Sequence, residues 1–525
     1  MAEEVWMLQT KKADFKQIGA RFRIDPVTAR IIRNRGIEGE AAIDRYLNGT
    51  LDDLYDPMLL KDMERAVSIL CEAVDTGKKI RIVGDYDIDG VCSTYILLQA
   101  FERLGSDVDF EIPDRIKDGY GINESIIEQA HADGVEVILT CDNGISAFHQ
   151  VELAKKYGMT VVITDHHEVP LDGEKEKIPP ADAVIDPKQA DCPYPFPEIC
   201  GAVVAYKLVQ VLYARRGVPQ MEWLDLLEFA AIATVGDVMK LQDENRILVK
   251  YGLKKMAQTK NLGLRRLAEK NNLDLGAITA YHIGFVIGPC LNAGGRLKTA
   301  KEALALLRAQ SEEEAERLAE ELKELNDTRK DMTEQGTEAA KLQVESWYQK
   351  DKVLVVFLPE CHESLAGIIA GRLREYYQKP AIVLTRGEEA VKGSGRSIDE
   401  YHMFKKLTEV SDLLLKFGGH PLAAGLSLEE KNIDEFRRRL NENAGLTEED
   451  FKAKVWIDVP MPVGYVTERL VRELSCLEPF GQGNEKPLFA EKSLRIRASR
   501  VLGRNRNVVK MTLEETDGHA IEALY

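Results

Sequence analysis

From residue 79 onward the chain alternates short apolar runs with longer helical stretches: KIRIVGDYD, DVDFEIP, VEVILTCDN, TVVITDHH and DAVIDP. Continuous apolar runs bounded by helices mark strands buried on both faces, so the pattern predicts an α/β domain built on a parallel sheet. The first, third and fourth runs end in polar clusters where the strand finishes. That is the edge at which open α/β sheets bind ligands. Two helical segments follow, GAVVAYKLVQVLYARRG and WLDLLEFAAIATVGDVM. Next comes SEEEAERLAEELKELNDTRKDMTEQGTEAAKLQVES, where Leu and Ala recur at three- and four-residue spacing among Glu and Lys. It predicts a long exposed helix over 311–347 that bridges two domains. A second β/α region opens at KVLVVFLP and runs through HESLAGIIAGRLREYY and PAIVLT to a glycine-rich stretch ending near Leu428. Beyond Val455, strand-like alternation predicts a small β-barrel, and a last run that is itself strand-like leaves room for an incomplete one. The expected divisions are an N-terminal segment 1–60, a first domain 61–310, the helix, a second domain 348–450 and the barrel 451–525.

A length of 525 residues exceeds what one core supports and suggests three or four compact units. With 44% apolar and 30% charged residues, the composition is that of a soluble globular protein. No apolar run reaches the roughly 18 residues of a membrane span. The N-terminus, MAEEVWMLQTKKADFKQ, carries acids and lacks the apolar core of a leader, so a cytoplasmic location is expected. Eight cysteines form no C-x-x-C pair and sit mostly in apolar segments, which argues for reduced, buried thiols over a disulfide framework or a zinc site. The net charge of −17 argues against nonspecific attachment to nucleic acid. A carboxylate-built metal site accounts for part of that charge, and Lys and Arg can still gather in one groove.

The densest chemical signal is Asp85, Asp87 and Asp89, at alternate positions directly after an apolar strand. Carboxylates packed this closely repel unless cations compensate them. An EF-hand is excluded, because residues 91–96 lack its closing Glu. Asp142, in TCDNG, is either a turn or cap residue or a ligand. The next strand ends in Asp165-His166-His167, with the one adjacent pair among nine histidines, an arrangement that favours metal or phosphate binding. Asp237 interrupts an apolar helical stretch, where an unpaired acid is costly. Carboxylates with imidazole suit Mn²⁺ or Mg²⁺ better than a thiolate zinc site. Two such ions about 3.5 to 4 Å apart activate water and neutralise charge during in-line attack on phosphorus.

The order DYDIDG (85–90), DNG (142–144), DHH (165–167) and GDVM (236–239) resembles the DHH phosphoesterase family. Later motifs are GPCLNAGGRL (288–297), His362 with GIIAGR (367–372), GSGRS (393–397), GGH (418–420) and LEPFGQGN (477–484). They resemble that family's single-strand-specific 5′→3′ exonucleases. The resemblance implies a DHH catalytic domain with a parallel sheet, a DHH-associated α/β domain joined by a long helix, and a C-terminal β-barrel of the OB-fold. It implies two Mn²⁺ or Mg²⁺ ions held by Asp85, Asp87, Asp89, Asp142, His166 and Asp237, with Asp142 bridging, and His167 against the scissile phosphate. Arg115, Ser394 and Arg396 match positions that hold a terminal 5′-phosphate, and Asn292, Arg296, His362, Arg372 and His420 match further substrate contacts.

The implied activity releases 5′-mononucleotides from single-stranded DNA in repair and recombination. The implied partners are single-stranded DNA, a single-strand-binding protein and a helicase, with no membrane. A slot that admits one strand but no duplex gives selectivity by shape. Two positions depart from the family pattern. Cys290 stands where Arg is common, which removes a possible phosphate contact, and Ser364-Leu365-Ala366 replaces a Gly-Val-hydrophobic run. Two alternatives share the motifs: an enzyme of short oligonucleotides, cyclic dinucleotides or pyrophosphate, and a non-catalytic replication scaffold. The OB-like region argues against the first and the intact acids against the second.

Overall fold

Residues 80–83 and 137–141 are buried on both sides, and their side chains divide between two cores: Ile80, Ile82, Leu139 and Cys141 face one, Val83 and Ile138 the other. This computed structural model describes residues 4–115, 119–503 and 506–525, so positions 116–118 of the stretch around Arg115 lie outside it. The strands form a five-stranded parallel sheet in the order Val108–Glu111, Ile80–Val83, Val137–Cys141, Thr160–Thr164, Ala183–Ile185. The chain therefore leaves Ile80–Val83 toward one edge and returns on its other side. That reversal opens a crevice at the C-terminal ends of Ile80–Val83 and Val137–Cys141.

The helix Glu312–Gln343 has 32 residues, about 48 Å at the usual rise. It is less exposed than its polarity predicts. Leu318, Ala319 and Leu322 enter the core of the first domain, Ala340 enters that of the second, and Asn326, Thr333 and Thr337 are buried between them. One helix thus belongs to two cores. The second domain is a mixed five-stranded sheet in the order Leu414–Gly419, Ala423–Leu428, Val391–Arg396, Ala381–Arg386, Leu354–Phe357. Its strand Val391–Arg396 packs against the helix Ala366–Tyr377.

The two ends of the chain meet. Glu4–Leu8 pairs in parallel with Ala453–Ile457, and Ile31, Ile32, Ile43 and Tyr46 share a core with Val459, Met461, Leu470 and Leu477. Arg35 binds Asp458 through two nitrogens at 2.7 and 3.0 Å, with both side chains buried. Beyond this core Arg495–Leu502, Val508–Glu514 and Ala520–Leu524 form an antiparallel meander. Among the described residues no helix is long and apolar enough to cross a membrane.

Candidate metal centre and its flanking cavities

The crevice at the sheet reversal collects the acids. Asp85 follows the strand Ile80–Val83, and Asp87 caps the helix Ile88–Arg103, its Oδ1 accepting from the N–H groups of Asp89 (3.0 Å) and Gly90 (3.1 Å). Asp89 accepts from Gly201 and Ala202, both at 2.7 Å, at the start of the helix Gly201–Arg216. Helix N-termini thus hold two carboxylates in place. Position 90 requires glycine, since a Cβ there would lie 2.4 Å from the Asp85 carbonyl oxygen. Asp142 adopts φ of 61° at the end of Val137–Cys141, a left-handed conformation costly for a residue with a side chain. His166 follows Thr160–Thr164, and Asp237 ends the helix Leu227–Gly236.

Two ligand groups result, Asp85 with Asp87 and Asp142, and Asp89 with His166 and Asp237, the donor atoms of each within 4.8 Å of one another. His166 Nε2 joins the groups, 3.0 Å from Asp142 Oδ1, 3.4 Å from Asp89 and 3.8 Å from Asp237. Burial and then mutual repulsion push Asp85 and Asp237 up to about 8 and raise Asp87 and Asp142. Burial lowers the pKa of His166, favouring the neutral imidazole that a metal requires. Asp85 Oδ2 and Asp142 Oδ1 are buried without a hydrogen-bond partner; the latter is in charge contact with His166 but not aligned for a bond. Acids that cannot all ionise, with orphaned oxygens and one imidazole, fit hard divalent cations.

Asp165 is not a member of these groups. Burial would raise its pKa, but bonds from His167 Nδ1 (2.8 Å) and the N–H groups of Ile145 (2.9 Å) and His166 (2.8 Å) hold it below the usual carboxylate range. Burial likewise opposes charge on His167, yet Asp165 and the surrounding acids raise it to about 9. The Tyr120 hydroxyl donates to the Asp142 carbonyl (2.8 Å) and lies 3.0 Å from His167 Nδ1.

Two cavities flank the centre. The larger, about 800 Å³, is lined by Tyr86, Arg115, Arg296, Arg372, Ser394 and Arg396, with Lys392 and Lys416 on its rim. Two carboxylates, Glu363 and Glu375, share it with these six cations. Burial and then crowding by other arginines depress Arg296 to about 10 and lower Arg396. The Arg115 guanidinium lies 4.8 Å over the Tyr86 ring. Such a cavity is short of anions. The smaller cavity, about 560 Å³, is lined by Tyr120, His166, His167, Lys188 and His420 among others.

The structure therefore brings together the six predicted ligands and His167, and gathers Arg115, Arg296, Arg372, Ser394 and Arg396 on one side. His420 faces the other cavity, and Asn292 and His362 line neither. His362 Nδ1 pairs with Ser364 Oγ at 2.8 Å. Cys290 is core, buried beside the amides of Asn271 and Asn326. Sequence reasoning passed over Asp165, Tyr120 and Lys188. Asp165 sat inside the Asp-His-His motif, whereas no quoted motif contains Tyr120 or Lys188.

The chain matches the models of the DHH family, N-terminal domain (residues 79–234), the DHHA1 domain (350–445) and the RecJ OB domain (457–525). It is 37% identical over 513 residues to the single-stranded-DNA-specific exonuclease RecJ of Bacillus subtilis (strain 168), covering 97% of this chain and 64% of that one. The chain thus spans just under two thirds of that relative. The RecJ of Haemophilus influenzae is 34% identical over 522 residues, covering 95% of this chain and 89% of its own. The crystal structure of RecJ with Mn²⁺ from Thermus thermophilus superposes with a TM-score of 0.82 at 28% identity, covering 99% of this chain and 78% of that one.

Proposed function

Since the chain belongs to the RecJ family of single-stranded-DNA-specific exonucleases, we propose that it removes 5′-mononucleotides stepwise from single-stranded DNA. The observation that carries this reading is an anion-seeking cavity beside a self-repelling acid cluster. Asp85, Asp87, Asp89, Asp142, His166 and Asp237 hold two Mn²⁺ or Mg²⁺ ions, with Asp142 and His166 where the two groups meet. Bound there, the ions supply Lewis-acid stabilisation of charge at phosphorus and acidify the attacking water.

The protein's own residues do the rest. Arg115, Arg396 and Ser394 hold the terminal 5′-phosphate, since guanidinium groups bind phosphate oxygens in a fixed fork. Arg296 and Arg372 extend that positive wall. His167, kept cationic and oriented by Asp165, donates to the scissile phosphate. Fixing one end of the strand places the first internucleotide bond over the acids and makes cleavage end-dependent. The OB region supports a grip on the incoming strand. Eight unpaired cysteines support a reducing, cytoplasmic setting, in which a single-strand-binding protein and a helicase would present the substrate during repair and recombination.

The test is product analysis with Mn²⁺ on 5′-phosphorylated single-stranded DNA, the same strand in blunt duplex, matched RNA and a dinucleotide. Stepwise mononucleotides from the single strand with the duplex spared are expected. Cleavage of the dinucleotide alone would leave the metal centre standing and remove the long-strand activity.

A further inference from the structure

Three features of the smaller cavity converge on an anion. The helix Phe148–Lys156 starts at its wall, with Ser146, Ala147 and Gln150 among the lining residues. Ala147 occupies the N-cap, no side chain caps the helix, and its first turn holds no acid. The first N–H groups of a helix lack intrahelical partners and form the positive end of its dipole. His166 lines the same cavity, and its buried Nδ1 has no partner although Nε2 faces the acids. A metal-bound imidazole carries an N–H on its other nitrogen, and that donor is normally taken up. Finally, Lys188 Nζ sits 2.8 Å from Glu168, whose side chain is 74% exposed against 19% for the lysine. A partner that exposed swings into water at little cost and leaves the ammonium behind. Of the two carboxylates on the wall, Glu168 is that partner, and Asp165 is already engaged by three backbone N–H groups and His167 Nδ1.

We propose that this cavity is a phosphate-ester site that takes the internucleotide phosphate next after the cleaved one, with Lys188 as its charged contact. The assignment rests on the exonuclease reading above. Tyr86 lines the arginine cavity and Tyr120 the smaller one, and their rings meet edge to face at 6.5 Å, so the cavities lie to either side of this pair. With the terminal phosphate among the arginines and the scissile one at the acids, the following phosphate of the retained strand falls beyond His167. Contact with phosphate alone is indifferent to base sequence. A dinucleotide has no such phosphate, so the site favours strands of three or more nucleotides.

The experiment measures binding by fluorescence anisotropy with Mn²⁺ present. The probe is a 5′-phosphorylated strand whose first linkage carries a methylene in place of the bridging ester oxygen, charged but uncleavable. A neutral methylphosphonate is then scanned along the later linkages. In the wild type, neutralising the second linkage weakens binding about tenfold. Lys188→Ala binds the fully charged strand as weakly and no longer senses that substitution, and Lys188→Arg restores both. An equal methylphosphonate penalty in wild type and Lys188→Ala overturns the site. So does a loss for deoxymononucleotide 5′-phosphate as large as for the strand, which would mark a product site. Mononucleotide release from an ordinary strand is measured in parallel. Its absence removes the exonuclease reading and this assignment together, whereas release with a Lys188-independent penalty removes the site alone.

Discussion

Asp142, the proposed bridging ligand, belongs to the group with Asp85 and Asp87, touches His166 of the other group, and sits in a left-handed backbone. Asp142→Ala is expected to lower kcat by about a thousandfold or more because the proposed shared ligand disappears, with some loss of Tm because Ala tolerates the left-handed backbone less well than Asp, and circular dichroism at about 25 °C should still show the native fold. Residual activity within tenfold of wild type would take the role from it. Arg396→Ala, in the arginine cavity, is expected to reduce the preference for 5′-phosphorylated over 5′-hydroxyl ends about tenfold, read as a ratio of kcat/KM. Glu228 tests a residue outside the site. Its Oε1 accepts from Thr259 at 2.7 Å, its Oε2 has no partner, and burial pushes its pKa up to about 7 from 4.5. Between those values the folded chain holds a proton that the unfolded chain has lost, so stability falls as pH rises through this window and stays low above it. Glu228→Gln removes a penalty of roughly 3 kcal/mol at pH 8. Its Tm should rise there and match wild type near pH 4.5; equal gains at both would refute the linkage. At this scale the clustering of the candidate ligands was readable because acids directly after apolar strands have few structural uses. Lys188 was not, since its meaning depends on a helix N-terminus and a histidine distant in sequence.

The helix Glu312–Gln343 is where elements were hardest to read. Its length was plain from Leu and Ala spacing, but its buried face includes Asn326, Thr333 and Thr337, polar residues that disguise contact with two cores. Thr333 and Thr337 satisfy their hydroxyls on the helix's own carbonyls, at 2.6 and 2.7 Å. Thr328 is exposed on the stretch between the cores. Thr328→Pro should bend the helix, and KM for long single strands should rise about tenfold, since Arg372 and Arg396 move away from Arg115 and Arg296. Mn²⁺ affinity, measured by calorimetry, should stay within twofold because every proposed ligand precedes residue 238. A parallel loss of metal affinity would mean that the helix supports the centre directly. The strands were legible from their continuous apolar runs. Their order was not, because pairing between distant runs leaves no local trace, and the sheet reversal that makes the crevice emerged only in three dimensions.

Across the whole molecule the two ends of the chain support each other, a relation that domain-by-domain reading of the sequence does not suggest. Arg35 and Asp458 are both buried, and Asp458 also binds Asn34 Nδ2 and the Leu488 N–H. Removing the guanidinium leaves a charged group uncompensated, so Arg35→Ala should cost about 3 to 5 kcal/mol in the unit formed by the two ends. Limited proteolysis should then cut first within residues 4–48 or 453–490, while the DHH region stays resistant. Uniform cleavage of the whole chain would show instead that the units unfold as one.

The helix shared by two cores also orders events during synthesis. Chains emerge N-terminus first and domains tend to fold as they appear. Every proposed ion ligand lies between Asp85 and Asp237, whereas Arg296, Arg372 and Arg396 come later, the last two beyond the helix. A growing chain therefore acquires the proposed ion ligands and Arg115 while the rest of the arginine wall is still unmade, and the cavity that the arginines share is completed only when the second domain docks.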